Sequence, residues 1–141
     1  MKKSLADKIE EYLKVLIERS ENRQIEIQRA ELAETFCCVP SQVTYVISTR
    51  FNEKSGYLTE SRRGGKGYVK ITRLDNDDPL AQMSRNNLFD FLDRIKDEQI
   101  ISRRENEMLK HLAVYAFKEW PSEERSRIFK AIEEALKDYL M

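Results

Sequence analysis

Residues 61–71 read SRRGGKGYVKI and hold three of the four glycines in a chain of 141 residues. Arg62, Arg63 and Lys66 stand among Gly64, Gly65 and Gly67. Glycine takes positive φ easily and lets the main chain approach a surface closely, and three cations supply attraction for an anion. A hairpin turn needs only one or two glycines, so this run exceeds what closing a turn requires. A second group lies upstream, in PSQVTYVISTR. If Val43, Val46 and Ile47 form the inner side of a helix, Ser41, Gln42, Thr44, Tyr45, Ser48 and Thr49 fall on the outer side. All six can hydrogen-bond and none is acidic, whereas a face that only meets water mixes Glu with Lys. Such a face suits a polyanion. Its residue types also fit base edges: Gln addresses adenine through two atoms, and Thr meets the thymine methyl. Arg50, at the helix end, has two roles open to it: capping carbonyls or holding a phosphate. The glycine loop fits a narrow minor groove, whose negative potential attracts Arg62, Arg63 and Lys66.

Other chemistry finds little support. Cys37 and Cys38 are adjacent, which precludes an unstrained disulfide between them. A zinc site needs more ligands than two thiols, and His111 is the only histidine. His111 has no acid–nucleophile pattern around it, so no catalytic residue, metal or cofactor is assigned. GGKG at 64–67 lacks the spacing of a phosphate-binding P-loop and is followed by a strand pattern rather than a helix.

The elements that must position these residues follow from periodicity. Leu5, Ile9, Tyr12, Leu13, Leu16 and Ile17 share one helical face, with Ser4 as cap and Asp7 three residues on, which predicts a helix over 5–18. IEI at 25–27 reads either as a one-turn extension or as a short strand. A second helix is expected over 29–36, burying Ala30, Leu32, Ala33 and Phe36. Pro40 opens a third, running to residue 50, because its missing N–H costs nothing at a first helical position. GYLTESR and KGYVKIT alternate as two strands of a hairpin with the glycine loop at its tip. The fold class expected is therefore mainly α with a small β-hairpin: a winged helix-turn-helix over residues 1–74, then a helical domain over 79–141. RLDNDDP at 73–79 marks the boundary. Beyond it, three helical faces are expected. The first carries Leu80, Leu88, Phe91, Leu92 and Ile95. The second follows the capping box SRRE at 102–105 and carries Leu109, Leu112, Ala113 and Ala116. The third carries Ile128, Phe129, Ile132, Leu136 and Leu140. A piece of roughly 60 residues is small for a core of its own. A homodimer through Leu88, Leu92, Ile132 and Leu136 is the economical reading, with a small monomeric bundle the other.

The net charge of zero hides an asymmetry. Residues 1–74 carry 14 Lys and Arg against 10 Asp and Glu, and residues 75–141 carry 11 against 15. Between Arg50 and Arg73 there are seven basic residues and two acidic ones. Local charge sets the field at a surface, so the first half can bind an anion. No apolar stretch approaches the ~20 residues of a membrane span. The start MKKSLADKIEEYL gains acids too soon for a signal peptide. A cytoplasmic protein with no membrane partner is expected.

CVPSQVTYVISTRF at 38–51 and KSGYLTESRRGGKGYVKI at 54–71 resemble the CtsR family, repressors of class III stress genes in low-GC Gram-positive bacteria. The resemblance spans nearly all of residues 1–74. It is looser beyond, where IISRRENEML is similar to a helix start in the family's second half. It implies a winged-helix homodimer that binds a directly repeated double-stranded DNA operator, represses chaperone and Clp protease genes, and lets go on heating. It implies partners in the arginine kinase McsB and the Clp protease machinery. The family's wing carries an unbroken glycine run held to sense temperature; here Lys66 interrupts it. Arg63 matches the wing arginine that meets DNA and is phosphorylated, and Arg62 beside it is a second candidate. Arg29 matches a basic position near the phosphates. Two other readings stay open: a winged-helix adaptor that binds protein and no nucleic acid, and an enzyme regulated through Cys37 and Cys38.

Overall fold

Ser4 and Asp7 close the start of the first helix reciprocally. Ser4 Oγ accepts from the Asp7 N–H at 3.1 Å, and Asp7 Oδ2 accepts from the Ser4 N–H at 3.2 Å. Helix α1 runs Leu5–Arg19 and buries Ile9, Leu13 and Ile17 completely. Tyr12, expected on that inner face, is 42% exposed and packs edge-on against Phe36. The computed structural model describes residues 2–61, 67–74 and 78–141, and these form two compact units divided between Asp75 and Asn76.

In the first unit the IEI segment is a strand. β1 (Gln24–Gln28) leads directly into α2 (Arg29–Thr35), and α3 (Pro40–Arg50) follows. β2 (Tyr57–Ser61) and β3 (Tyr68–Arg73) form the hairpin. The sheet order is β1-β3-β2, antiparallel throughout, with Ile25 opposite Ile71 and Ile27 opposite Val69. The expected two-stranded hairpin thus gains a third strand, and β3 becomes central. Its alternate residues Val69 and Ile71 are fully buried beneath α1 and α3, beside Val43, Val46, Ile47 and Phe51. Burial of each such side chain is worth about 1.5–3 kcal/mol.

The turn between α2 and α3 explains the paired cysteines. Cys37 has φ 52°, the left-handed conformation. Its N–H donates to the Glu34 carbonyl at 3.2 Å, and the Cys38 N–H donates to the Ala33 carbonyl at 2.9 Å. These are the two bonds of a Schellman cap, whose left-handed position normally holds glycine. Cys38 tucks partly under the core while Cys37 is exposed, and both thiols are free. Among the described residues, Arg23 at 50° and Gln99 at 63° also take positive φ without being glycine.

The second unit contains α4 (Pro79–Asp97), α5 (Arg103–Tyr115) and α6 (Ser122–Leu140). Asp78 Oδ1 accepts from the Leu80 N–H at 2.9 Å and caps α4, and the Ser102–Glu105 capping box opens α5. The core holds Leu88, Phe89, Phe91, Leu92, Ile95, Ile101, Ala113 and Phe129, with Ile132, Leu136 and Leu140 partly buried against it. α5 departs from expectation. Its buried residues are Asn106, Lys110 and Ala113, while Leu112, expected inside, is 51% exposed. A polar bond network turns the helix this way: Lys110 Nζ lies 2.8 Å from Asp93 Oδ1 on α4, and Asn106 Nδ2 donates to the same oxygen at 3.1 Å. Ser84 and Ser126 share a buried hydrogen bond of 2.8 Å between α4 and α6. No helix among the described residues is long and apolar enough to cross a membrane, and no group of three or more His, Cys, Asp or Glu among them is placed to hold a metal ion.

Candidate nucleic-acid interface

Helix α3 turns Val43, Val46 and Ile47 into the core and leaves Ser41, Gln42, Thr44, Tyr45, Ser48 and Thr49 all exposed. The backbone thus brings the six together on one acid-free face. What each offers differs. Thr44 Oγ1 donates to the Pro40 carbonyl at 3.2 Å, Ser48 Oγ to the Tyr45 carbonyl at 3.0 Å, and Thr49 Oγ1 to the same carbonyl at 2.8 Å. Those hydroxyls present acceptor lone pairs outward until they rotate. Gln42 Oε1 accepts from the Val39 N–H at 3.1 Å and closes the start of α3, leaving its NH₂ outward. Val39 has no polar side chain to return the bond, so this cap is one-sided. Tyr45 is 67% exposed. With Ser41 and Gln42 it borders a groove of about 250 Å³ floored by Leu5, Ala6 and Val46.

Arg29 sits where β1 passes into α2. Its backbone N–H and its Nη1 both donate to the Gly67 carbonyl, each at 3.1 Å. Gly67 has φ 79°, where a side chain would be strained. The first residue of α2 thus holds the end of the hairpin loop. Arg29 Nε is buried without a hydrogen-bond partner among the described residues. Arg62, Arg63, Gly64, Gly65 and Lys66 lie outside the described residues.

Arg50 has partners that neither role open to it from the sequence includes. Its Nη1 lies 2.6 Å from Asp7 Oδ1 and 2.6 Å from Glu10 Oε1, both on α1. The Arg50 guanidinium, followed by the Ser4 bonds, holds the Asp7 carboxyl down to about 2. Glu10 is lowered by Lys14 first and Arg50 second, and Arg50 itself is raised by the two carboxylates. Arg73 pairs likewise with Glu18 of α1. Among the described residues, Arg50 and Arg73 are therefore balanced by acids that no local pattern in the sequence connects to them; the separations are 43, 40 and 55 positions. Asp7, Glu10 and Glu18 are the residues missed at that level.

The residues assigned to dimerisation divide. Leu88 and Leu92 have no exposed surface within their own unit and offer none to a second copy. Ile132 and Leu136 are half-buried at the edge of that core.

A three-helix layer with a capped turn before an exposed, acid-free third helix, backed by a three-stranded sheet with a glycine-tipped hairpin, defines a winged helix-turn-helix. A family model described as the CtsR N-terminal HTH domain matches residues 4–75. The chain belongs to the CtsR family. The transcriptional regulator CtsR of Staphylococcus haemolyticus (strain JCSC1435) is 41% identical over 117 residues, covering 75% of this chain and 76% of that protein. The protein of the same name from Staphylococcus aureus (strain USA300) is 39% identical over the same length and coverage. Among solved structures, the crystal structure of CtsR in complex with a 26bp DNA duplex matches with a TM-score of 0.53 and 34% identity, covering 95% of this chain and 99% of that one.

Proposed function

We propose that the protein is a sequence-specific DNA-binding transcriptional repressor, not an enzyme, acting on stress-response genes of the chaperone and Clp protease class. The observation that carries this is the exposed acid-free face of α3 on a chain that matches, over 95% of its length, a CtsR protein solved with DNA. α3 enters the major groove, where Gln42 and its neighbours read base edges. Arg29, tied to the Gly67 carbonyl beside the wing, contacts phosphate through its guanidinium charge, and the wing cations Arg62, Arg63 and Lys66 occupy the minor groove. The operator is a direct repeat bound by a homodimer. Met108, 54% exposed, and Leu112, 51% exposed, both on α5, support pairing through that outward apolar face; Ile132 and Leu136, half-buried against the same core as Leu88 and Leu92, add to the pairing surface. Heating releases the DNA because ordering a glycine-rich wing costs about 1–2 kcal/mol of backbone entropy per residue, a term that grows with temperature. Phosphorylation of Arg63 or Arg62 by the arginine kinase McsB replaces a cation with an anion facing phosphate and has the same effect. The Clp machinery is then the downstream partner.

The test uses a duplex that the protein itself selects from a randomised pool. Its affinity is followed against temperature beside the protein's own melting curve. Affinity should fall before the fold melts. Constant affinity up to the melting point removes the release mechanism, and failure to enrich any duplex removes the DNA-binding reading itself.

A further inference from the structure

One carboxylate of α1 does two jobs. Asp7 Oδ2 closes the start of α1 through the Ser4 N–H, while Asp7 Oδ1 takes Arg50 Nη1 at 2.6 Å. Glu10, one turn on, takes the same Nη1 at 2.6 Å and is itself held by Lys14 at 2.5 Å. Arg50 is the last residue of α3, and its side chain is only 34% exposed. The C-terminal end of the reading helix is thus fixed to α1 by a charged junction, while its N-terminal end is closed by the weaker one-sided Gln42 bond. The orientation of a helix in a groove decides which side chains reach base edges, so an error at either end is felt along the whole face.

We infer that Asp7 and Glu10 are positioning residues for sequence reading: they hold Arg50, and through it the end of α3, so that discrimination between DNA sequences depends on two acids that need not touch DNA. The inference rests on the DNA-binding reading above and assigns Arg50 a partner on α1 instead of a phosphate. The two assignments give opposite signatures. A phosphate ligand contributes to the salt dependence of binding and little to sequence choice; a positioning group does the reverse.

The experiment compares the full-length protein with Asp7→Asn, Glu10→Gln, Arg50→Ala and Ser4→Ala. Binding is measured to a wild-type-selected duplex and to a shuffled duplex of equal composition, across a salt series and well below each variant's melting point. Asp7→Asn, Glu10→Gln and Arg50→Ala should each lower the selected-to-shuffled ratio by about tenfold, the size of one lost base contact. The salt slope should stay unchanged, and Asp7→Asn combined with Arg50→Ala should lose no more than Arg50→Ala alone. Ser4→Ala opens the helix cap without touching Arg50 and should keep the ratio, which separates positioning from general loss of stability. A slope lowered by about one in Arg50→Ala with the ratio intact, or tighter binding to both duplexes in the acid variants, overturns the inference and makes Arg50 a phosphate ligand for which the acids compete. A wild type that shows no preference overturns the DNA-binding reading and this inference together. Wild-type preference that all the variants share overturns this inference alone.

Discussion

Gln42 Oε1 already accepts one hydrogen bond, from the Val39 N–H, and its second lone pair and its NH₂ are what it has left for adenine. The same side chain thus serves the cap and the base, and the two functions come apart on substitution. Gln42→Glu keeps an acceptor at a helix N-terminus, where negative charge is favourable, and should hold the melting point while DNA affinity falls, since it sets a carboxylate before phosphates. Gln42→Ala should lose both, about 0.3–1.5 kcal/mol of stability and about 1–3 kcal/mol of discrimination at one base step. Thermal melts beside duplex titrations check this; a Gln42→Glu variant that binds like wild type would place the helix face away from DNA. Asp7 makes a prediction in pH. Its carboxyl lies at about 2 in the fold against an ordinary 3.8, so its contribution to stability is complete above the ordinary value. That contribution is lost as pH falls through about 4 toward about 2. Asp7→Asn should flatten that part of the stability-against-pH profile. An acid limb of the same steepness in the variant would show that the Arg50 and Ser4 bonds do not bear on folding.

Among the elements, α3 was legible down to its ends. Pro40 marks its first turn, and three β-branched residues at helical spacing mark its inner face. β1 was ambiguous because IEI is too short to show a period; its pairing with β3, more than forty positions on, decides it. The Arg50 and Arg73 partners were hidden for the same reason, since ion pairs across folded elements leave no local pattern. α5 misled because apolar side chains usually point inward, and here the Lys110–Asp93 and Asn106–Asp93 bonds hold the polar side in. The helix turn at Cys37 was masked because a cysteine occupies the place where glycine would have announced a Schellman cap. That substitution is testable. Left-handed geometry costs a side-chain-bearing residue roughly 1–2 kcal/mol, and glycine loses about 0.5–1 kcal/mol through its freer unfolded chain. Cys37→Gly should therefore stabilise the first unit by about 0.5–1 kcal/mol in urea unfolding. A loss of stability would mean that the Cys37 side chain makes a contribution larger than its strain.

For the whole molecule, an acidic second half and a basic first half suit a division in which one pairs with a second copy and the other meets DNA. Leu112→Glu, on the exposed side of α5, should convert a sedimenting dimer to a monomer at micromolar concentration with little change in helix content. Leu92→Ala, fully buried, should cost about 2–5 kcal/mol whatever the oligomeric state. If Leu112→Glu sediments like wild type, α5 is not the pairing face. The proposed temperature response of the wing has its own test. Lys66→Gly, which lengthens the glycine run and removes one cation, should weaken binding and shift release to lower temperature; an unchanged release curve would move the sensor elsewhere. The most direct test of the central claim is an anisotropy titration of the wild type with its selected duplex and with the shuffled duplex, over a salt series at one temperature. A preference of roughly 10³ or more for the selected duplex is expected, with affinities that fall steeply with salt for both. Equal affinity for the two duplexes at every salt concentration would contradict it.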